Sequence, residues 1–474
     1  MIRSAILLSA ALVASPALAA NEDVALSKIE ADREANIDTA KAIWGFAEVG
    51  YKETRSSKLL QDRLATEGFK VDEGVAGIPT AFTATYTNGE GPVIGIMGEF
   101  DALPGFSQAA TPEKQGLPNL DAGHACGHHL FGTASASAAI AIKDWLVQSG
   151  TKGTVRFYGT PAEEGGAGKV YMVREGLFDD VDVALHWHAS AENSADMSTS
   201  NSNKSGKFRF HGVSAHAASA PEQGRSALDG VEAMDMMANM MREHMPQESR
   251  MHYVITAGGR APNVVPDYAE VFYYVRNPDA EVVRSSFERL VKVAEGAALG
   301  TGTTMDYEVI HGAMPVLPNK TLQEVVHAKM TEVGGVDYTP EEMQFAERIK
   351  TTLADPDAPM TDATGIDPLS ENHGYGSTDV GDVSWAVPTA GFRTATWVPG
   401  TPAHSWQAVA AGGMSIGWKG MQNAAKILAL TAIDLYEDPA KIAAARAEWE
   451  SRKPKGYEYR ALLGDRKPPL DYRD

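Results

Sequence analysis

The chain has 474 residues, which at about 150 residues per domain suits two or three domains and excludes a single small module. Hydrophobic residues make up 43% and charged residues 22%, the balance of a soluble globular protein and not of a disordered one. A formal net charge of −20 repels phosphate backbones and anionic lipid, so neither nucleic acid nor a membrane is an expected partner, and the single cysteine, Cys126, excludes an intramolecular disulfide framework.

In chain order, residues 1–20 combine Arg3, an apolar run from Ala5 to Ala14, and the small-residue pattern Ala17-Leu18-Ala19-Ala20 after Pro16. That is the layout of a secretory signal, and the run is shorter than the ~20 residues that cross a bilayer. The expectation is a cleaved leader and a protein exported to the periplasm. Val24–Trp44 and Ser56–Glu67 have amphipathic helical spacing, with Gly68 ending the second. Thr80–Tyr86, Val93–Met97 and Val155–Tyr158 are β-rich, and Ala134–Gln148 is a helix of small residues. This alternation, continuing through Leu185, predicts a sheet covered by helices on both faces.

The pattern changes after that. Strand Phe208–Val213, helix Ala227–His244, strands Met251–Ala257 and Ala269–Val275, helix Val282–Leu299 and strand Thr304–Ile310 follow the order βαββαβ, a ferredoxin-like unit. Helical spacing at Thr321–Val333 and Met414–Tyr436 then returns to the first type. The expected fold class is therefore α/β, an α/β/α sandwich over residues 21–203 and 316–474 interrupted by an inserted ferredoxin-like domain at 204–315. Asp355–Gly376, rich in Pro, Asp, Asn and Gly, predicts a long loop near the functional site.

Five stretches concentrate groups that bind metals or move protons: Gly98–Pro104, His124–His129, Pro161–Gly166, Leu185–His188 and Pro402–Trp406. Most follow a strand directly, at the carboxyl edge where open α/β sheets place their ligands. Singly, each has a bland explanation: a buried thiol, a solvated acidic pair, a surface histidine. Together, a Cys-x-His, a carboxylate and further histidines supply a mixed S/N/O donor set suited to Zn²⁺ or a similar ion. In the doublet Glu163-Glu164, one carboxylate can coordinate an ion while its neighbour stays free as a general base. No His-Glu-x-x-His occurs, and one cysteine excludes the Pro-Cys-x-x-Cys of zinc deaminases.

These motifs, in this order around an inserted ferredoxin-like unit, resemble the metal-dependent aminoacylase and carboxypeptidase family, peptidase family M20, in its amidohydrolase branch. The runs Gly376–Trp385, Thr394–Trp397 and Gly400–Gln407 look most like its aminobenzoyl-glutamate hydrolase B-subunit group. The resemblance implies a di-metal hydrolase domain with a lid and dimerisation domain inserted in it. It implies that Cys126 bridges two divalent ions, zinc or manganese, with His128, Glu164, His186 and His404 as the remaining ligands. It makes Glu163 the general base and sets Asp101 among the catalytic residues. His216 would polarise the scissile carbonyl, reaching the partner's site in a homodimer, while Asn263 and Arg276 would hold the substrate. Three positions depart from the pattern: His129 replaces an Asp or Asn, Ala189 a proline, and Thr378 a Glu.

The expected activity is hydrolysis of an amide joining an acyl or aroyl group to an amino acid with a free carboxylate. The alternatives are a metallo-carboxypeptidase or dipeptidase of the same family, and a periplasmic binding protein without turnover. Binding alone needs neither Glu163 nor His216, which argues against the last.

Overall fold

The computed structural model describes residues 16–473, so the expected export signal falls largely outside the described residues. The helical spacing over Val24–Trp44 resolves into two helices, Pro16–Ala31 and Arg33–Phe46, meeting at Asp32 with ψ 7°. Backbone bonds run through the junction, Asp32 N to Lys28 O and Asn36 N to Asp32 O, which is why the periodicity reads as one element.

Six strands form the larger sheet. They are β1 (Lys70–Glu73), β2 (Phe82–Thr87), β3 (Val93–Gly98), β4 (Thr154–Gly159), β5 (Val183–Ser190) and, much later in the chain, β10 (Thr389–Ala395). Their order is β1-β2-β4-β3-β5-β10, with β4, β3, β5 and β10 parallel. Alternate side chains on these strands enter different cores. Ile94, Ile96, Val155, Phe157, Val183, Leu185 and Trp187 join one apolar cluster, and Met97, Tyr158 and Ala184 another. Both faces are therefore buried, as a parallel sheet requires. Helix His128–Ser149 lies in the first cluster and is the one described helix long and apolar enough to cross a membrane; most of it is buried inside the protein, so it is a core element.

Four of the strands between β5 and β10 make a separate antiparallel sheet: β6 (Ser202–His211), β7 (Arg250–Ala257), β8 (Tyr268–Asn277) and β9 (Thr304–Ala313), in the order β7-β8-β6-β9. Helices Ala227–Arg242 and Ala280–Thr301 pack on it around Phe208, Phe210, Tyr273 and Phe287, and side-chain caps at Ser226 and Asp279 start them. β6 begins six residues before the expected Phe208. Its leading residues Ser202–Lys207 are polar or Gly and lack β-branched or aromatic side chains, so pairing on both sides, not local propensity, makes them a strand.

Further differences lie in the second half. Helix Pro340–Lys350, capped by a Thr339/Glu342 box, was not expected, although Thr-x-x-Glu is its sequence signature. The loop expected over Asp355–Gly376 carries a turn of helix, Thr361–Thr364, and a strand, Glu371–His373, that pairs with Met197–Thr199.

Candidate metal centre

The loops after β3 and β4, the end of β5, the start of helix His128–Ser149 and the loop after β10 meet at the carboxyl edge of the large sheet. Backbone geometry forces several of these approaches. Gly127, with φ +79°, turns the chain into the helix, and a Cβ there would lie 2.3 Å from the Cβ of Ala189. His404 also has positive φ, and its N–H donates to the Ala125 carbonyl at 2.9 Å, which seats its ring beside Cys126.

Three groups of donor atoms form, each within 4.8 Å, and Cys126 belongs to two of them, one with His128 and His188 and one with Glu164 and His404; Glu99, His128 and Glu163 make the third. A thiolate shared by two three-donor groups is an arrangement for two adjacent cations. Cys126 Sγ lies 3.6 Å from His188 Nε2, and Glu164 Oε1 lies 3.1 Å from His404 Nε2. His128 Nε2 stands 3.0 Å from Glu99 Oε2, yet both atoms and Glu164 Oε1 are buried without a hydrogen bond. Unpartnered buried donors and acceptors aimed at one another fit a metal ion between them.

Electrostatics agree with that fit. Burial works against charge on His128, but Asp101 and then Glu99 hold its protonated ring well above the ordinary histidine range, so the position favours a cation. Burial, with His128, pushes His188 down to about 4, so its ring is neutral; Nδ1–H donates to the Ala189 carbonyl at 2.9 Å, leaving the Nε2 lone pair for a metal. Burial raises the Cys126 thiol, so a thiolate there needs a cation beside it. Burial, then Glu99 and Glu164, also raise Glu163 above the usual carboxylate range.

Of the ligands expected from sequence, Cys126, His128, Glu164 and His404 come together and His186 does not. His186 shares the face of β5 with His188, but its ring lies across Gly391 of β10, where a Cβ would sit 2.0 Å from its Nε2. With no side chain at Gly391 the ring drops onto the neighbouring strand, and His188 takes the place beside Cys126. Asp101, expected among the catalytic groups, lies behind the ligands. Its Oδ1 accepts from His128 Nδ1 at 2.8 Å and its Oδ2 from the Glu164 N–H at 2.9 Å, so both oxygens orient other groups.

Sequence reasoning also passed over the roles of Glu99, Lys169 and Asp379. Lys169 is fully buried, with Nζ 2.6 Å from Glu99 and 2.7 Å from Asp379, so one ammonium offsets two carboxylates next to the donor groups. Glu99 lies within the Gly98–Pro104 stretch, but nothing in sequence ties it to Lys169. The three departures are absorbed without disturbing the donors: His129 points away and bonds the Gly412 carbonyl, Ala189 packs on Gly127, and Thr378 lines the cavity.

A cavity of about 500 Å³ opens over the donors, lined also by Glu163, Glu192, Phe392 and Arg393. Arg393 pairs in register with His188, and its guanidinium makes no ion pair among the described residues. His216, Asn263 and Arg276, all in the inserted sheet and its loops, do not line this cavity. His216 is exposed; its Nδ1 accepts from the Ala218 and Ser219 N–H groups at 3.2 Å, so the neutral ring carries its proton on the outward Nε2.

Residues 199–301 match the Peptidase dimerisation domain of the M20 group. The chain is 42% identical over 437 residues to the B-subunit of p-aminobenzoyl-glutamate hydrolase from Escherichia coli K12, covering 86% of this chain and 91% of that protein. It is 30% identical to mouse Xaa-Arg dipeptidase, covering 87% and 88%. The Bacillus subtilis dinuclear metal-binding peptidase of the M20 family superposes with a TM-score of 0.58 at 18% identity, over 86% of this chain and 99% of that one, and so shares the fold.

Proposed function

Because the chain belongs to the M20 family of metal-dependent hydrolases, we propose that it hydrolyses the amide bond between an acyl or aroyl group and an amino acid. Aminobenzoyl-glutamate-like and N-acyl amino acid compounds are the substrate class. The observation that carries this reading is the doublet. Glu164 turns its carboxylate to His404 and the Cys126 thiol, while Glu163 faces Glu99 and His128 within 4.8 Å and lines the cavity.

Cys126, His128, His188, Glu164 and His404 would hold two divalent ions, zinc or manganese, with the thiolate favouring zinc. Bound there, the ions supply Lewis acidity to the water and to the scissile carbonyl. Glu163, raised in pKa by its surroundings, takes a proton from the attacking water and returns it to the leaving amine nitrogen as the C–N bond breaks. His216 is outside the cavity of its own chain, so its Nε2–H would reach the developing oxyanion from a second copy, with Asn263 and Arg276 gripping the substrate's carboxylate. An unpartnered apolar face supports that assembly: Met236 and Met240 of helix Ala227–Arg242 and Val254 of edge strand β7 are 63%, 62% and 56% exposed. A homodimer is the simplest assembly. The Escherichia coli relative is named as one of two kinds of subunit, which makes a different second chain the alternative. The leader-like residues 1–20 support export to the periplasm.

A dipeptidase reading has one specific observation in its favour: Glu192 in the same cavity suits a cationic side chain, whereas Arg393 suits an anionic one. Purification without added metal, elemental analysis and a screen of aroyl-, acyl- and dipeptide substrates by released amine separates the two. Within that screen Glu163→Gln should keep its metal and lose about 10²–10⁴-fold in turnover, while Glu164→Ala should lose metal; equal metal loss in both would refute the roles.

A further inference from the structure

The backbone of Glu164 is held from both sides. Its N–H donates to Asp101, and its carbonyl accepts two bonds from the far end of the chain, Tyr472 Oη at 3.0 Å and Arg473 Nη2 at 2.6 Å. The seat for these residues is built. Gly50 leaves room for the Tyr472 hydroxyl, where a Cβ would lie 2.1 Å from it, and the Tyr472 ring meets Tyr51 edge-on at 5.5 Å. Tyr51 in turn donates to the Gly166 carbonyl at 2.7 Å, so the same cluster grips the Glu163–Gly166 loop at a second point.

The segment leading there is also tied to the inserted sheet. Leu462 is buried in the core of that sheet, while Leu463 enters the core under the large sheet. Arg466 donates to Glu308 of β9 at 2.8 Å, and Arg174 donates to the Gly464 and Arg466 carbonyls at 2.9 and 2.8 Å. Residues 462–473 thus run from β9 to the peptide of Glu164.

We propose that Tyr472 and Arg473 are positioning residues that fix the peptide of Glu164, and that the segment 462–473 links its placement to the inserted domain. The inference rests on the reading of Glu164 as a metal ligand. A ligand whose backbone is clamped on both sides gives up little freedom on binding, and groups that orient a ligand are worth about 10–100-fold in metal affinity. Two donors on one carbonyl, one of them a cation, also draw the loop towards a single conformation.

The test uses the full-length metallated protein. Tyr472→Phe/Arg473→Ala should lose metal to excess EDTA at least about tenfold faster than wild type, with an unchanged Tm for the metal-free protein. Arg473→Lys, which keeps a donor, should restore most of the retention. Arg466→Ala should speed the loss by a smaller factor, because it releases the tie to β9 and spares the bonds to Glu164. A rate within twofold of wild type in the double variant overturns the proposal, as does a parallel fall of metal-free Tm and metal retention in all three variants. Glu164→Ala separates the two readings: if it keeps its metal, the ligand assignment fails; if it loses metal while the double variant behaves as wild type, the positioning role fails.

Discussion

Asp101 offers the sharpest test, because sequence puts it among the catalytic residues and the geometry makes it a support. Its Oδ1 orients His128 and its Oδ2 the backbone of Glu164, and it is 1% exposed. Burial opposes its charge, but the His128 ring holds its carboxyl below the ordinary range, so it is an acceptor at neutral pH. Asp101→Asn keeps one carbonyl oxygen and turns an NH₂ towards the other donor, so one of the two contacts is lost. Asp101→Ala loses both. With an orienting contact worth about 10–100-fold in metal affinity, the Asn variant should weaken binding about tenfold and the Ala variant about a hundredfold, or roughly 1.4 and 2.7 kcal/mol. Competition against a fluorescent chelator reads these values directly. At saturating metal the Asn variant should recover turnover to within a few-fold of wild type. The reasoning is refuted if Asp101→Ala binds metal as wild type does and loses more than about 10²-fold in kcat, the signature of a group acting on the substrate.

His188→Ala should lose metal by elemental analysis and His186→Ala should retain it; the reverse result would return the ligand role to His186. Homodimers of Glu163→Gln and of His216→Ala should each be nearly inactive, but refolded together in equal amounts they should recover about a quarter of wild-type activity, since half the dimers are mixed and each holds one intact site. No recovery in a mixture shown to have exchanged protomers would rule out a shared site. His311, buried in the inserted sheet, is held down to about 4 by burial and then Arg276 and Arg466. The unfolded chain protonates near 6.5, so this histidine's contribution is complete above that pH and is lost as pH falls towards 4. Denaturant unfolding of the metal-free protein at pH 7.5 and 4.5 should show a gap about 2–3 kcal/mol smaller in His311→Gln than in wild type; an equal gap would mean the ring is charged in the folded protein.

Much of the fold is legible along the chain because it is recorded between near neighbours. The amphipathic spacing of helices Ala227–Arg242 and Ala280–Thr301, the β-rich runs at β3 and β4, and Gly127 before the helix all act over a few residues, and the βαββαβ order identifies the inserted sheet before any contact is known. Donor chemistry is legible for the same reason, since Cys126 and His128, or Glu163 and Glu164, stand side by side. The start of β6 is not, because its polar residues become a strand only when β8 and β9 pair with them. Nor could spacing choose between His186 and His188, which share one face of β5: the choice was made by Gly391, far along the chain, which leaves a gap that one ring fills. The buried ammonium of Lys169 between Glu99 and Asp379, Asp101 behind His128, and the grip of Tyr472 and Arg473 on Glu164 belong to the same class. Local sequence determined which groups were available for metal and proton chemistry, while tertiary packing decided which face one another, because orientation at the site is set by side chains that meet only after distant segments have folded together.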